Sequence, residues 1–153
     1  MSGLYFEQFE VGHVFKHAVT RTVTEMDNTL FSVMTLNMQP LHLDAHFSEK
    51  TEFGQRLVNS LFTLGLAIGI SVTDTTLGTT IANLGMSDIR FPKPVFHGDT
   101  LRVETSVKSV RASGSRPEAG IVEFEHRAYN QRDEVVCICA RSAFMKRQPT
   151  AAA

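Results

Sequence analysis

Cysteine is scarce in this sequence: Cys137 and Cys139 are the only two. Two residues apart on a strand they point the same way, a poor geometry for a bridge. No further cysteine completes a zinc site, so both are expected to be small, buried thiols of a reducing compartment. A cationic excess is also missing. Fifteen Lys and Arg stand against sixteen Asp and Glu, for a net charge of −1. That leaves no electrostatic footprint for nucleic acid. No apolar run is long enough to cross a bilayer; the longest, Leu61 to Val72, is broken by Thr63 and Ser71. Met1 to Glu7 shows no basic stretch followed by an apolar core, the mark of a signal peptide. The expected setting is the cytoplasm, with neither nucleic acid nor membrane as partner. Absent too are Gly-x-Ser-x-Gly, a phosphate loop and Gly-x-Gly-x-x-Gly. His13, His17, His46 and His126 share no metal-ligand spacing, so no metal is expected.

What is present is the composition of a globular domain. Hydrophobic residues make up 42% and charged residues 20% of 153, values outside the disordered class. Residues 1–147 read as one domain and 148–153 as a flexible, low-complexity tail. A short strand-like run covers His13 to Arg21. Thr24 then has the character of a helix N-cap, with Glu25 and Asp27 in the first turn and Met26, Leu30, Phe31 and Met34 on one face. Pro40 bars helix at Gln39, and Asp44 can cap a second short helix through Lys50. Leu61 to Val72 is apolar nearly all round and is expected to be buried on every side, with Gly65 and Gly69 leaving a groove.

From Thr79 onward the period changes to two. Thr79 to Phe91, Leu101 to Lys108, Val122 to Tyr129 and Val136 to Phe144 read as four long antiparallel strands, separated by turn signals at Gly98-Asp99 and Asn130 to Asp133 and by a longer loop at Ala112 to Gly120. The fold class is therefore α+β, a curved sheet wrapped around a central helix.

Three segments could carry chemistry. Asn37-Met38-Gln39-Pro40-Leu41-His42-Leu43-Asp44 is the densest polar cluster, and Pro40 fixes a bend that could bring Asn37 and His42 to one spot. Histidine is the side-chain type that exchanges a proton in the physiological range; it is also a common capping or packing residue. Leu57-Val58-Asn59-Ser60 leads into the apolar helix, whose first N–H groups can hold a negative oxygen or simply be capped. Arg90-Phe91-Pro92-Lys93-Pro94-Val95-Phe96-His97-Gly98-Asp99-Thr100-Leu101 ends a strand, with Arg90 and Lys93 either facing a ligand or solvated.

These three segments, in this order, resemble the MaoC-like (R)-specific enoyl-CoA hydratases (hydratase 2) of the hotdog fold. The first resembles an Asp-x-Asn-Pro-x-His signature, with Asn37 at the aspartate, Gln39 at the asparagine and His42 retained. The second resembles a stretch ending in Val-His-Gly, with Asn59-Ser60 at His-Gly. The third, Phe91-Pro92-Lys93-Pro94-Val95 with Gly98-Asp99-Thr100-Leu101, resembles Phe-x-x-Pro-Val-x-x-Gly-Asp-x-Leu. The likeness covers about Val11 to Met145.

It implies a single hotdog domain that adds water across the 2,3 double bond of an enoyl-CoA. His42 would be the base, Asn37 would hold the water with Gln39 as a weaker candidate, and the Ser60 N–H would be the oxyanion donor. Asn37, an amide, cannot accept a proton as a carboxylate does. The chain as a whole is similar to the mesaconyl-CoA and itaconyl-CoA hydratases, which implies a short dicarboxylic acyl group met by Asn59 and Arg90. No cofactor is implied, since CoA belongs to the substrate, and a homodimer or larger homo-oligomer is. The alternatives are a hotdog thioesterase, for which Asp27, Glu49 and Glu52 are the carboxylates within reach, and a non-catalytic acyl-CoA-binding subunit.

Overall fold

The computed structural model describes residues 3–149. The chain opens with a 3-10 turn, Phe6–Gln8, followed by two short strands, β1 (Val14–Lys16) and β2 (Arg21–Thr22). Helices α1 (Glu25–Met34), α2 (Pro40–Leu43), α3 (Ala45–Ser48) and α4 (Ser60–Thr75) come next, and then the long strands β3 (Thr80–Arg90), β4 (Thr100–Ala112), β5 (Ala119–Tyr129) and β6 (Val135–Lys146). The sheet is antiparallel in the order β1-β4-β5-β6-β3, with β2 also paired to β4. This is the α+β hotdog, with α4 lying in the hollow of the sheet.

Period two decides which face of each strand meets α4. On β4 the inward side chains Leu101, Val103, Thr105 and Val107 are buried and alternate with more open neighbours. On β5 Phe124, His126 and Ala128 do the same. Leu64, Ala67 and Ile70 of α4 pack on Val103, Ala128, Val136, Cys137 and Cys139. Each such aliphatic side chain contributes about 1.5–3 kcal/mol by leaving water. A second cluster joins Phe6 and Phe9 of the N-terminal turn to Val107, Val122, Phe124, Ala143 and Met145. Both cysteines are free and buried, and burial pushes the Cys137 thiol up to about 12.

Between the two clusters runs a polar band. Asp74 accepts from His17 Nδ1 (2.8 Å), His17 Nε2 meets the Thr105 hydroxyl (2.8 Å), and that hydroxyl meets His126 Nδ1 (2.9 Å).

Two expectations need correcting. Of the apolar face read on α1, Met26, Leu30 and Met34 are exposed and only Phe31 is half-buried, edge-on to Phe62 of α4, while the polar Asn28 and Ser32 are fully buried. The reason is that the helix packs by hydrogen bonds onto the segments it must position. Likewise α4 is not covered on every side; Leu61, Gly65 and Gly69 form an open stripe four residues apart, with nothing within 4 Å of a Cβ built on either glycine. One sheet cannot wrap a helix completely, and β3, the edge beyond β6, is exposed from Ala82 to Arg90. Of the tail expected at 148–153, residues 150–153 lie outside the described residues. Gln148 N–H is held by the Glu7 carboxylate (2.9 Å).

Candidate active site

The loop after α1 is set by local chemistry. Thr24 and Asp27 form a reciprocal capping box at its start, and Leu36 ends the helical stretch with φ +58°, a conformation rare for a branched side chain. Asn37 follows. Its N–H donates to Ser32 O (2.8 Å), and its side-chain oxygen accepts from Gln39 N–H (3.3 Å), a local turn of the kind asparagine favours. Pro40 occupies the first position of α2, where its missing N–H goes unnoticed, and Gln39 is its N-cap, with an exposed side chain. His42 sits on this single turn and is only 9% exposed.

The imidazole is oriented by a backbone carbonyl. His42 Nδ1 lies 2.8 Å from Leu57 O. A carbonyl only accepts, so Nδ1 carries the hydrogen and Nε2 keeps a free lone pair. Leu57 is three residues before Ser60, so one short segment holds both the ring and the start of α4. That segment is fixed in turn: Leu57 N–H donates to Leu41 O (3.0 Å) and Val58 N–H to Val95 O (2.9 Å).

Asn28 ties these parts together. Its Nδ2 donates to His42 O (3.2 Å), Leu57 O (3.1 Å) and His97 Nε2 (2.9 Å), and its Oδ1 accepts from Asn59 N–H (2.9 Å). Burial, with the Arg56 guanidinium adding to it, holds the His97 imidazole below its ordinary pKa, which keeps its ring nitrogen an acceptor for that amide. Ser32 completes the junction: its hydroxyl takes Asn59 Nδ2 (3.2 Å) and its carbonyl takes Asn37 N–H. The bend carrying Asn37 and His42 is thereby bound to the N-terminus of α4.

The Asn59 side chain is engaged within the fold. The residue is 2% exposed, its amide nitrogen is bonded to Ser32, and its oxygen caps Leu61 N–H (3.1 Å). Thr63 N–H goes to Asn59 O (3.2 Å), whereas the Ser60 N–H meets no acceptor among the described residues. Ser60 lines a cavity of about 300 Å³ with Phe53, Leu57, Val58, Thr63 and the Phe91–Val95 stretch. The cation at this cavity is Lys93. Arg90 belongs elsewhere, to a cleft along β3, β5 and β6 that also holds Lys108 and Arg141; the two prolines after it turn the chain away from the sheet edge. Asp27, a carboxylate considered for hydrolysis, is taken up by Thr24 and Arg21.

Asn28, Ser32, Thr63 and His97 did not stand out in the sequence. The one signal for the first two was their spacing of four, which puts two short polar side chains on one face of α1.

Comparison with known proteins addresses the family and the fold. The family described as the MaoC-like domain matches residues 7–129. A mesaconyl-CoA hydratase of Cereibacter sphaeroides is 32% identical over 151 residues, which are 99% of this chain and 43% of that protein. The chain thus spans less than half the length of that relative. The structure of a MaoC-like dehydratase from Rhodospirillum rubrum superposes with a TM-score of 0.86 at 30% identity, covering 97% of this chain and 100% of the other. A double-hotdog protein of Mycobacterium tuberculosis superposes with a TM-score of 0.87 at 25% identity, over 99% of this chain and 46% of its own. The family match over residues 7–129 and the similarity of nearly the whole chain to these proteins give one assignment: the chain belongs to the MaoC-like domain family.

Proposed function

We propose that this protein is an enoyl-CoA hydratase, working reversibly as a 3-hydroxyacyl-CoA dehydratase. The observation that carries the reading is the Leu57 carbonyl at His42 Nδ1, which leaves Nε2 as a base and ties the ring to the segment that ends, three residues on, at the uncapped N–H of Ser60. His42 Nε2 takes a proton from water while the water oxygen bonds to C3 of the enoyl thioester. The electron pair of the double bond moves onto the thioester oxygen, where the Ser60 N–H and the N-terminus of α4 receive it. The proton on Nε2 is then delivered to C2, on the face that water entered. Asn37 orients the water with the free lone pair of its amide oxygen. CoA is part of the substrate, and the sequence of steps calls on no further cofactor.

The acyl group is a short dicarboxylic one of the mesaconyl-CoA kind. The similarity to a mesaconyl-CoA hydratase supports this over a long alkyl chain. The active form is a homodimer or larger homo-oligomer. An apolar face on α1, the open stripe of α4 and the unpaired edge β3 all support an apposed second unit, and the double-hotdog protein of Mycobacterium tuberculosis holds two such folds in one chain.

Incubation with crotonyl-CoA, mesaconyl-CoA and itaconyl-CoA tests the reading. Hydration consumes the enoyl-thioester absorbance without free thiol, and mesaconyl-CoA is consumed fastest. Free thiol would establish a thioesterase, and binding with no turnover a non-catalytic subunit.

A further inference from the structure

The cavity beside Ser60 contains a polar atom that the fold does not use. Thr63 is 1% exposed, and its hydroxyl is buried with no hydrogen-bond partner. In a helix a threonine hydroxyl ordinarily donates to the carbonyl four residues back. Thr35 and Thr75 make that bond here, but the Thr63 hydroxyl does not, and among the described residues Asn59 O accepts only the Thr63 N–H (3.2 Å). The remaining wall is nearly all apolar: Phe53, Leu57, Val58, Phe91 and Val95 among others. A hydroxyl kept unpaired among such side chains is unfavourable for the empty protein. At the rim stands Lys93, which forms no ion pair with any described residue, and no carboxylate lines the cavity.

We infer that this cavity receives the free carboxylate of the acyl group, with the Thr63 hydroxyl donating to one oxygen and the Lys93 ammonium pairing with the other. The inference rests on the hydratase reading above and names the residues that select its substrate. In a branched four-carbon dicarboxylic enoyl thioester the carboxylate is bonded to C3, one bond from the carbon that water attacks. Its binding group must therefore lie close to the base and the oxyanion donor. Thr63 is one helical turn from Ser60, and both line the same cavity. The apolar wall accommodates the methyl branch.

Thr63→Val keeps the shape and removes the hydroxyl, and Lys93→Met removes the charge. Each is expected to lower the ratio of kcat/KM for mesaconyl-CoA to that for crotonyl-CoA by ten- to a hundredfold, the effect of about one charge-assisted hydrogen bond. Lys93→Arg should restore most of the ratio. Thr63→Val should also raise the Tm of the ligand-free protein, because an unpaired buried hydroxyl is gone; a structural role would lower it. An unchanged ratio in both variants overturns the inference while leaving the hydratase reading intact. Failure of the wild-type protein to hydrate either thioester overturns both.

Discussion

His42 is oriented by one side-chain hydrogen bond. Because Leu57 O fixes Nδ1 as the protonated nitrogen, the ring presents its lone pair without waiting for a tautomer change. Among the residues where this site departs from the related signature, Asn37 gives the sharpest prediction. Asn37→Asp places a second proton acceptor beside the water. Hydration of crotonyl-CoA should then rise while that of mesaconyl-CoA falls, because a new carboxylate repels the carboxylate of the substrate. Equal rates for both proteins with every thioester would show that position 37 does not touch the water. The bend that carries Asn37 and His42 was legible as a polar, proline-fixed cluster, but the roles proposed for the two residues come from the resemblance to the Asp-x-Asn-Pro-x-His signature. Thr63 was not legible: a threonine inside an apolar helix looks like any other interior position until its hydroxyl is found without a partner. Arg90 precedes the proline pair and Lys93 lies between Pro92 and Pro94, so only the course of the chain there decides that Lys93 and not Arg90 lines the cavity.

The elements differ in how far pattern predicts them. The four long strands were legible because alternation is enforced by burial on one face, and β4 and β5 show it residue by residue. On α1 the same logic misleads. Most of its apolar stripe is outside and its buried face is Asn28 and Ser32, since hydrogen bonds to two other segments, with the Phe31–Phe62 contact beside them, hold it in place. The 3-10 turn Phe6–Gln8 was likewise hidden, being too short to carry a period. It nonetheless closes the far half of the core. Gly120 on β5 is the point of contact, and a Cβ there would collide with the Phe6 ring. Gly120→Ala should therefore lift the turn and destabilise the protein by about 1–3 kcal/mol, as overpacking does. The check is a lower urea midpoint at unchanged m; an unaltered midpoint would mean that Phe6 does not seal the core.

Across the molecule, the polar band under α4 couples stability to pH. His126 is buried, and burial, with Arg141 and His17 as lesser causes, pushes its pKa from the ordinary 6.5 down to about 3. The folded state keeps this imidazole neutral while the unfolded state protonates it. The contribution is complete above pH 6.5 and is lost as pH falls toward 3, with a limiting slope of about 1.4 kcal/mol per pH unit. His126→Gln should flatten the fall in Tm between pH 6.5 and 4; an identical fall would contradict the assignment. The band lies at the Asp74 end of α4, whereas His42 and Ser60 lie at the other, so this titration is a matter of stability and not of the reaction.

The central claim, that the imidazole held by Leu57 performs the addition of water, is tested most directly with His42→Ala. Its circular dichroism and Tm should remain those of a folded protein, while consumption of mesaconyl-CoA, followed by the enoyl-thioester absorbance, should drop by about 10²–10⁴. A folded His42→Ala protein that hydrates mesaconyl-CoA at the wild-type rate would contradict it.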